Sequence, residues 1–235
     1  MSKTGQLAKD SILNVGTKML IFGGGDGKVA NNLTSLVDTT TWTYRVVNVR
    51  GSAPAERVGH AAALIGGERK EQMVIFGGFV RKLGYMFDTH VLDIPTVEWR
   101  QMSVGGTVPD GRINHTMNAL ESMLYVYGGS YKATAFGDVH RLDSAEGEWT
   151  KLDTRGFSPP PRAGHSAQFI GDKLFIFGGA TAGLKVPTAP FEDSAPCARL
   201  VAPTAQAAPP GPGAPPEPLG SSPWPRHPAP GRLGR

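Results

Sequence analysis

The stretch that decides the fold is His165–Gly179, HSAQFIGDKLFIFGG, in which two short apolar runs flank a Gly-Asp turn and end in a glycine pair. Asp10–Gly24, DSILNVGTKMLIFGG, aligns with it without a gap. An aromatic residue followed by two glycines occurs four times, and the first glycines of successive pairs are 54, 51 and 50 residues apart. These sites are Phe22-Gly23-Gly24, Phe76-Gly77-Gly78, Tyr127-Gly128-Gly129 and Phe177-Gly178-Gly179. The chain is therefore built from internal repeats.

Two further signatures recur in a fixed order. A tryptophan follows each of the first three glycine pairs, at Trp42, Trp99 and Trp149. The pattern Gly-x-x-Pro-x-x-Arg-x-x-His precedes each of the last three pairs, as Gly51, Pro54, Arg57, His60, then Gly106, Pro109, Arg112, His115, then Gly156, Pro159, Arg162, His165. In the first unit, Leu7 stands in the arginine place and Asp10 in the histidine place. Four units thus begin, near residues 7, 57, 112 and 162, and the fourth stops after its glycine pair.

Each unit is predicted to be a four-stranded antiparallel sheet. Strand one follows the histidine, and strand two is the apolar run that ends in the glycine pair, such as Lys173–Phe177 or Met123–Tyr127. Strand three is Asp88–Asp93 in one unit and Asp138–Asp143 in the next, and strand four carries the tryptophan. Such a tryptophan needs a neighbouring sheet to cover it, because one small sheet cannot bury so large a side chain.

With these three signatures at this period, the chain resembles the kelch-repeat family over residues 7 to about 183. The resemblance implies an all-β, kelch-type β-propeller with the first strand of each blade lining a central channel. The Gly-x-x-Pro-x-x-Arg spacing is similar to kelch proteins that lack a preceding BTB-type dimerisation domain. Closed propellers have about four to eight blades, and this chain offers about three and a half. We therefore expect an incomplete propeller within residues 1–183, either a truncated or alternatively spliced product with little independent function or a partial propeller that self-associates through its open blade edges.

Residues 184–235 differ sharply in composition from the rest. They hold 14 of the 20 prolines and are rich in alanine and glycine, so we expect a disordered tail. Their Pro-x-x-Pro spacings are typical of any proline-rich run and predict no ligand role.

Composition excludes several classes of protein. No run approaches the roughly 18–20 apolar residues of a membrane span, and the N-terminus lacks the apolar segment of a secretory signal. The net charge of +4 is too small and too even to predict a nucleic-acid surface. Cys197 is the single cysteine, which is typical of a reducing compartment. We expect a cytoplasmic protein, with the nucleus as a second location, and neither membrane nor nucleic acid as partner.

The repeated polar residues are assigned to structure rather than to chemistry. His60, His115 and His165 could form a metal cluster, but residues tied to every unit usually hold the unit together. His90 and His140 are expected at an exposed position of strand three. We predict no catalytic, cofactor or metal site. The structural signature comprises Gly23, Gly24, Trp42, Arg57, His60, Gly77, Gly78, Trp99, Arg112, His115, Gly128, Gly129, Trp149, Arg162, His165, Gly178 and Gly179.

Binding is the function that these patterns favour. The loops between strands two and three differ in sequence from one unit to the next, and function commonly resides in such loops. Their basic and aromatic residues are Arg81, Lys82, Tyr85, Tyr131 and Lys132. The chain is therefore interpreted as a non-enzymatic interaction scaffold or adaptor whose rim fits an acidic or C-terminal peptide segment. A metal- or cofactor-dependent enzyme on a kelch propeller is the alternative.

Overall fold

The computed structural model describes residues 11–25, 29–66, 71–155, 158–181 and 198–201. Every regular element in these ranges is a β-strand. In the same ranges, no helix has the length and apolar character needed to cross a membrane. The all-β prediction is confirmed.

Blade one is a four-stranded antiparallel sheet with its strands in chain order. It consists of β1 (Ser11–Val15), β2 (Lys18–Phe22), β3 (Thr34–Asp38) and β4 (Thr43–Val46). Trp42 lies in the turn before β4 with a φ of 54° and is 78% exposed. The prediction that the fourth strand carries the tryptophan is therefore wrong for this blade. Tyr44 instead faces Val37, the register position that Trp99 and Trp149 occupy in their own blades.

Blades two and three contain the same four-stranded sheet. Each adds a short fifth strand at the outer edge and a separate hairpin of two short strands. Blade two comprises β5 (Arg50–Gly51), β6 (Ala61–Ile65), β7 (Gln72–Phe76), β8 (Phe79–Val80), β9 (Gly84–Tyr85), β10 (Thr89–Asp93) and β11 (Glu98–Gln101). Blade three comprises β12 (Gly105–Gly106), β13 (Thr116–Leu120), β14 (Met123–Tyr127), β15 (Ser130–Tyr131), β16 (Thr134–Ala135), β17 (Val139–Asp143) and β18 (Glu148–Leu152). The pairs β8–β9 and β15–β16 are separate hairpins between strands two and three.

The short strands β5 and β12 pair in parallel with the outer tryptophan strand of the blade they precede. Gly51 and Gly106 sit in them with φ of 73° and 72°. A β-carbon on Gly51 would lie 2.1 Å from the Trp99 carbonyl oxygen, and one on Gly106 would lie 2.2 Å from that of Trp149. Only glycine fits there, which explains the first residue of the Gly-x-x-Pro-x-x-Arg pattern.

Blade four consists of β19 (Ala163–Ile170), β20 (Lys173–Ala180) and β21 (Ala198–Val201). β21 pairs antiparallel with β20 and places Leu200 opposite Leu174, as Leu142 lies opposite Leu124 in blade three. The expectation that no third strand follows the last glycine pair is therefore wrong at these four residues. The rest of the predicted disordered tail lies outside the described residues.

The hydrophobic core lies between successive blades, and each such interface is called a seam below. Phe22 of blade one contacts Trp99 of blade two with ring centroids 4.9 Å apart. Phe76 of blade two contacts Trp149 of blade three at 5.1 Å. Both tryptophans are 1% exposed. In blades two and three, one face of the sheet therefore packs on the preceding blade and the other on the following blade, which explains the nearly continuous apolar character of strand two.

Candidate functional site

Arg57 joins blade one to blade two. Its backbone N–H donates to the Asn31 carbonyl, and its carbonyl accepts from the Gly24 N–H, both in blade one. Its guanidinium donates to the Gly77 carbonyl at 2.9 Å and makes a bidentate pair with Asp88 at 2.7 and 2.8 Å in blade two. The side chain is buried, so this charge is compensated inside the seam.

Arg112 repeats the arrangement between blades two and three. It donates to the Gly128 carbonyl at 3.0 Å and to both carboxylate oxygens of Asp138 at 2.7 and 3.0 Å. In blade four, Arg162 donates to the carbonyls of Pro160 and Gly178. Among the described residues, no carboxylate pairs with Arg162.

Asp88 and Asp138 each bind a histidine as well as an arginine. His90 Nε2 lies 2.9 Å from Asp88, and His140 Nε2 lies 3.0 Å from Asp138. Both histidines are buried, so the expectation of an exposed strand position is wrong. Burial alone would raise the pKa of Asp88, but hydrogen bonds from Arg57 and His90 outweigh it and hold that pKa well below its usual range. The carboxylate is therefore ionised and structural.

His60, His115 and His165 lie in successive seams. The His60 ring packs edge-on against Phe22 of the preceding blade at 5.4 Å between centroids, and a β-carbon on Gly23 would lie 2.9 Å from its Cε1 atom. Burial, with the charge of Arg57, lowers the pKa of His60 to about 3. Burial likewise holds the pKa of His115 well below its usual value and lowers that of His165 to about 4. These neutral rings are packing elements of the seams.

The described part of the chain assembles no metal cluster. No group of three or more His, Cys, Asp or Glu side chains there is arranged to hold a metal ion. A cavity of about 420 Å³ opens between blades one and two, near the β1–β2 turn. Its ionisable lining side chains are Lys18 and Arg45, both cationic, with apolar residues around them. That lining has no nucleophile paired with a base.

The predicted binding residues lie on the hairpins that join strands two and three. In blade two, Phe79 of the hairpin forms a backbone bridge with Val58 of the loop that enters the blade. In blade three, Ser130 bridges Ile113 in the same way. The hairpins and the loops that enter the blades therefore form one rim. The two hairpins share this architecture although their sequences differ, a similarity that the sequence did not reveal.

Aromatic contacts connect the two hairpins across the seam. The Tyr85 and Tyr131 rings are 4.7 Å apart at a tilt of 52°, and Phe79 packs edge-on against Tyr85 at 5.3 Å. Lys132 Nζ lies 5.2 Å from the Tyr131 ring centroid. Three of the five predicted residues are thus in one cluster, while Arg81 and Lys82 lie exposed in the β8–β9 turn. We call these five residues the rim patch.

Comparison with known proteins identifies the family. The family model described as the KLHDC2/KLHL20/DRC7 Kelch-repeats domain matches residues 9–186. The chain belongs to the kelch-repeat family. The kelch repeats predicted from the Gly-Gly, Arg-x-x-His and Trp signatures are thereby confirmed.

The matches to individual relatives cover about half of the chain. Kelch domain-containing protein 3 of Homo sapiens is 32% identical over 121 residues, 51% of this chain and 30% of that protein. Kelch domain-containing protein 10 of Homo sapiens is 28% identical over 139 residues, 56% of this chain and 30% of that protein. Acyl-CoA-binding domain-containing protein 5 of Arabidopsis thaliana is 34% identical over 121 residues, 51% of this chain and 18% of that protein. The match therefore spans less than a third of each of these proteins.

Sequence reasoning missed the carboxylates that bind the kelch arginines. Asp88 and Asp138 had been placed in strand three without a role. The signal was present, because both are the first residue of an Asp-x-His sequence, 11 and 10 residues after the first glycine of a glycine pair. Phe79 and the exposed Leu83, which is 68% exposed in the β8–β9 turn, were also missed, because nothing in their spacing repeats.

Proposed function

We propose that this kelch chain is a non-enzymatic protein-interaction scaffold whose rim patch binds an acidic peptide segment of a partner. The observation that carries the proposal is the Tyr85–Tyr131 contact, which joins two hairpins into one continuous surface. Half-buried tyrosines supply a rigid apolar surface, and nearby exposed cations supply charge complementarity. A role as adaptor or substrate-recognition module of a larger assembly fits this binding mode.

Charge at the hairpin tips sets the chemistry of the partner. Arg81, Lys82 and Lys132 occupy the two hairpin turns. The acidic residues of the entering loops, Glu56 and Asp110, lie one and two residues before the seam arginines Arg57 and Arg112. Because the basic residues lie at the tips, a peptide that crosses both tips meets cations first. Exposed ion pairs of this kind contribute more to association rate and specificity than to affinity.

Charge reversal tests the rim patch. The paired substitutions Arg81→Glu and Lys82→Glu should lower recovery of a specific partner from lysate by tenfold or more. The matched control reverses Arg100 and Lys151, two exposed cations on the outer strands β11 and β18. The control should leave recovery unchanged. Equal recovery by the rim variant and the wild-type chain would reject the rim assignment.

A metal- or cofactor-dependent enzyme of the same fold is the alternative function. Copper or iron in stoichiometric amount in the purified protein would overturn the non-enzymatic proposal. Metal analysis by mass spectrometry distinguishes the two. The charge-reversal test of the rim patch does not depend on the result of the metal analysis.

Localisation and self-association are separate parts of the proposal. We place the chain in the cytoplasm, with the nucleus as a second location. A fluorescent fusion of the full chain tests this directly, and a signal confined to a membrane-bound compartment would contradict it. Self-association through the uncovered blade edges is proposed because both terminal blades expose large apolar side chains, Tyr44 and Phe177 among them.

A further inference from the structure

Phe177 marks a blade face that, within the described part of the chain, lacks the partner its counterparts have. The equivalent aromatics Phe22, Phe76 and Tyr127 are fully buried, and each packs on the histidine of the following blade with centroids 5.1 to 5.5 Å apart. Phe177 is 65% exposed, and Ile170 on the same face is 64% exposed. We call the face of a blade toward the following blade its front face. The front face of blade four is thus half of a seam.

The glycine pairs show the same difference. A β-carbon on Gly128 would lie 2.8 Å from Cε1 of His165, because the following blade packs against that position. A β-carbon on Gly178, the equivalent residue of blade four, would meet nothing within 4 Å. The backbone conformation is nevertheless the same, with φ of 65° and 73°. Blade four is therefore shaped for a neighbour in the same way as blade three.

Blade one presents the complementary half of a seam. Its rear face, toward a preceding blade, carries Ile12, Tyr44 and Val46, which are 48%, 56% and 48% exposed. Tyr44 holds the register position of Trp99 and Trp149, the residues that pack on the preceding blade. Ile12 lies opposite Ile21, as Ala62 of the first seam lies opposite Ile75. The strand positions of Ile12 and Tyr44 bury apolar side chains in the internal seams, and in blade one no described residue covers them. The counterparts of Val46 in blades two and three are the exposed Gln101 and Lys151.

We propose that two copies of this chain associate head to tail, the front face of blade four of one copy packing on the rear face of blade one of the other. A second copy fits these faces because front and rear faces already pack against each other in all three internal seams. The contact is heterologous, so it either closes into a ring or extends. The inference deepens the self-association part of the proposed function and uses no residue of the rim patch.

Two single substitutions test the contact on the full chain. Phe177→Glu puts a charge on the front face, and Ile12→Glu puts one on the rear face. Leu83→Glu, an apolar-to-acidic change at a rim residue 68% exposed, is the matched control. Light scattering after size exclusion measures the mass, and thermal melts check that each variant folds. Tyr44→Glu replaces Ile12→Glu if that variant does not fold.

The expected masses follow from the head-to-tail geometry. The wild-type chain and the Leu83→Glu control should have at least twice the 24.9 kDa chain mass. Each face variant alone should be a 24.9 kDa monomer. Mixed together, they should form a one-to-one complex, because each still has the face that the other needs. A monomeric wild-type chain, or a mixture that stays monomeric, would overturn the proposal. Rim binding by Phe177→Glu should be unaffected, which separates this test from that of the rim patch.

Discussion

At the scale of single residues, the completeness of the Arg–Asp pair varies from blade to blade. Blades two and three have the full bidentate pair. In blade one, Leu33 stands in the carboxylate place, since its carbonyl accepts from the Gly23 N–H as that of Asp88 does from Gly77. In blade four, Arg162 donates to the carbonyls of Pro160 and Gly178, and no carboxylate among the described residues pairs with it. The seam between blades three and four therefore rests on an arginine bound to carbonyls.

Removing one partner of a buried ion pair should destabilise the fold, because the other partner stays buried without its counter-charge. Asp138→Ala leaves the fully buried Arg112 guanidinium without its counter-charge and should lower the free energy of unfolding by about 3–5 kcal/mol. Asp172→Ala removes a surface ion pair with Lys173 and should cost less than about 1 kcal/mol. Urea denaturation measures both. Equal losses would contradict the structural role of Asp138.

Acid stability should depend on the three seam histidines. The unfolded chain protonates them near pH 6.5, whereas the folded chain keeps them neutral because burial lowers the pKa of His60 to about 3 and that of His165 to about 4. The unfolded state thus binds more protons below pH 6.5, and stability falls as the pH falls. The slope is about 1.4 kcal/mol per pH unit for each histidine.

Urea denaturation between pH 7.5 and pH 5 measures that slope. His115→Gln removes one titrating group and should reduce the slope by about a third relative to the wild-type chain. The low pKa values of Asp88 and Asp138 act only at more acidic pH, so they do not contribute in this window. A free energy of unfolding that stays constant over this range would contradict the assignment.

At the scale of strands, sequence spacing predicted the inner elements well and the outer ones less well. The predicted second strand Met123–Tyr127 has the observed bounds of β14, because an apolar run that ends in a glycine pair defines both ends. The outer strand that carries the tryptophan has no glycine pair to mark where it ends. Trp42 follows its glycine pair by 18 residues, whereas Trp99 and Trp149 follow theirs by 21 and 20. Tyr44 follows by 20, so spacing could have identified it.

Trp149 and Trp42 should differ greatly in their contribution to stability. Trp149→Ala removes a 1% exposed side chain that contacts Phe76, and it should cost about 3–5 kcal/mol. Trp42→Ala removes a 78% exposed side chain and should change the free energy of unfolding by less than about 0.5 kcal/mol. Denaturant titration distinguishes them. A large loss of unfolding free energy for Trp42→Ala would contradict the exposed position of Trp42 in the turn before β4.

At the scale of the whole molecule, repeated residues and variable residues occupy different regions, the seams and the rim. The Arg and His signatures lie at the seams together with Trp99 and Trp149, and the residues that vary lie on the hairpins. Sequence could place Arg81 and Lys82 in an exposed loop because they lie between two predicted strands. It could not bring Tyr85 to Tyr131, since they are 46 residues apart and their contact depends on how two blades stack. We therefore propose that partner specificity resides in the variable residues that the stacked blades bring together.

Selection of peptides on the wild-type chain tests the rim assignment most directly. A random peptide display selection, followed by fluorescence polarisation with the enriched peptides, gives both sequence preference and affinity. We expect peptides rich in Asp and Glu, with affinity at least tenfold weaker for the Arg81→Glu, Lys82→Glu variant and unchanged for the Arg100→Glu, Lys151→Glu control. Enriched peptides without acidic residues, or an equal loss of affinity in both variants, would contradict the account.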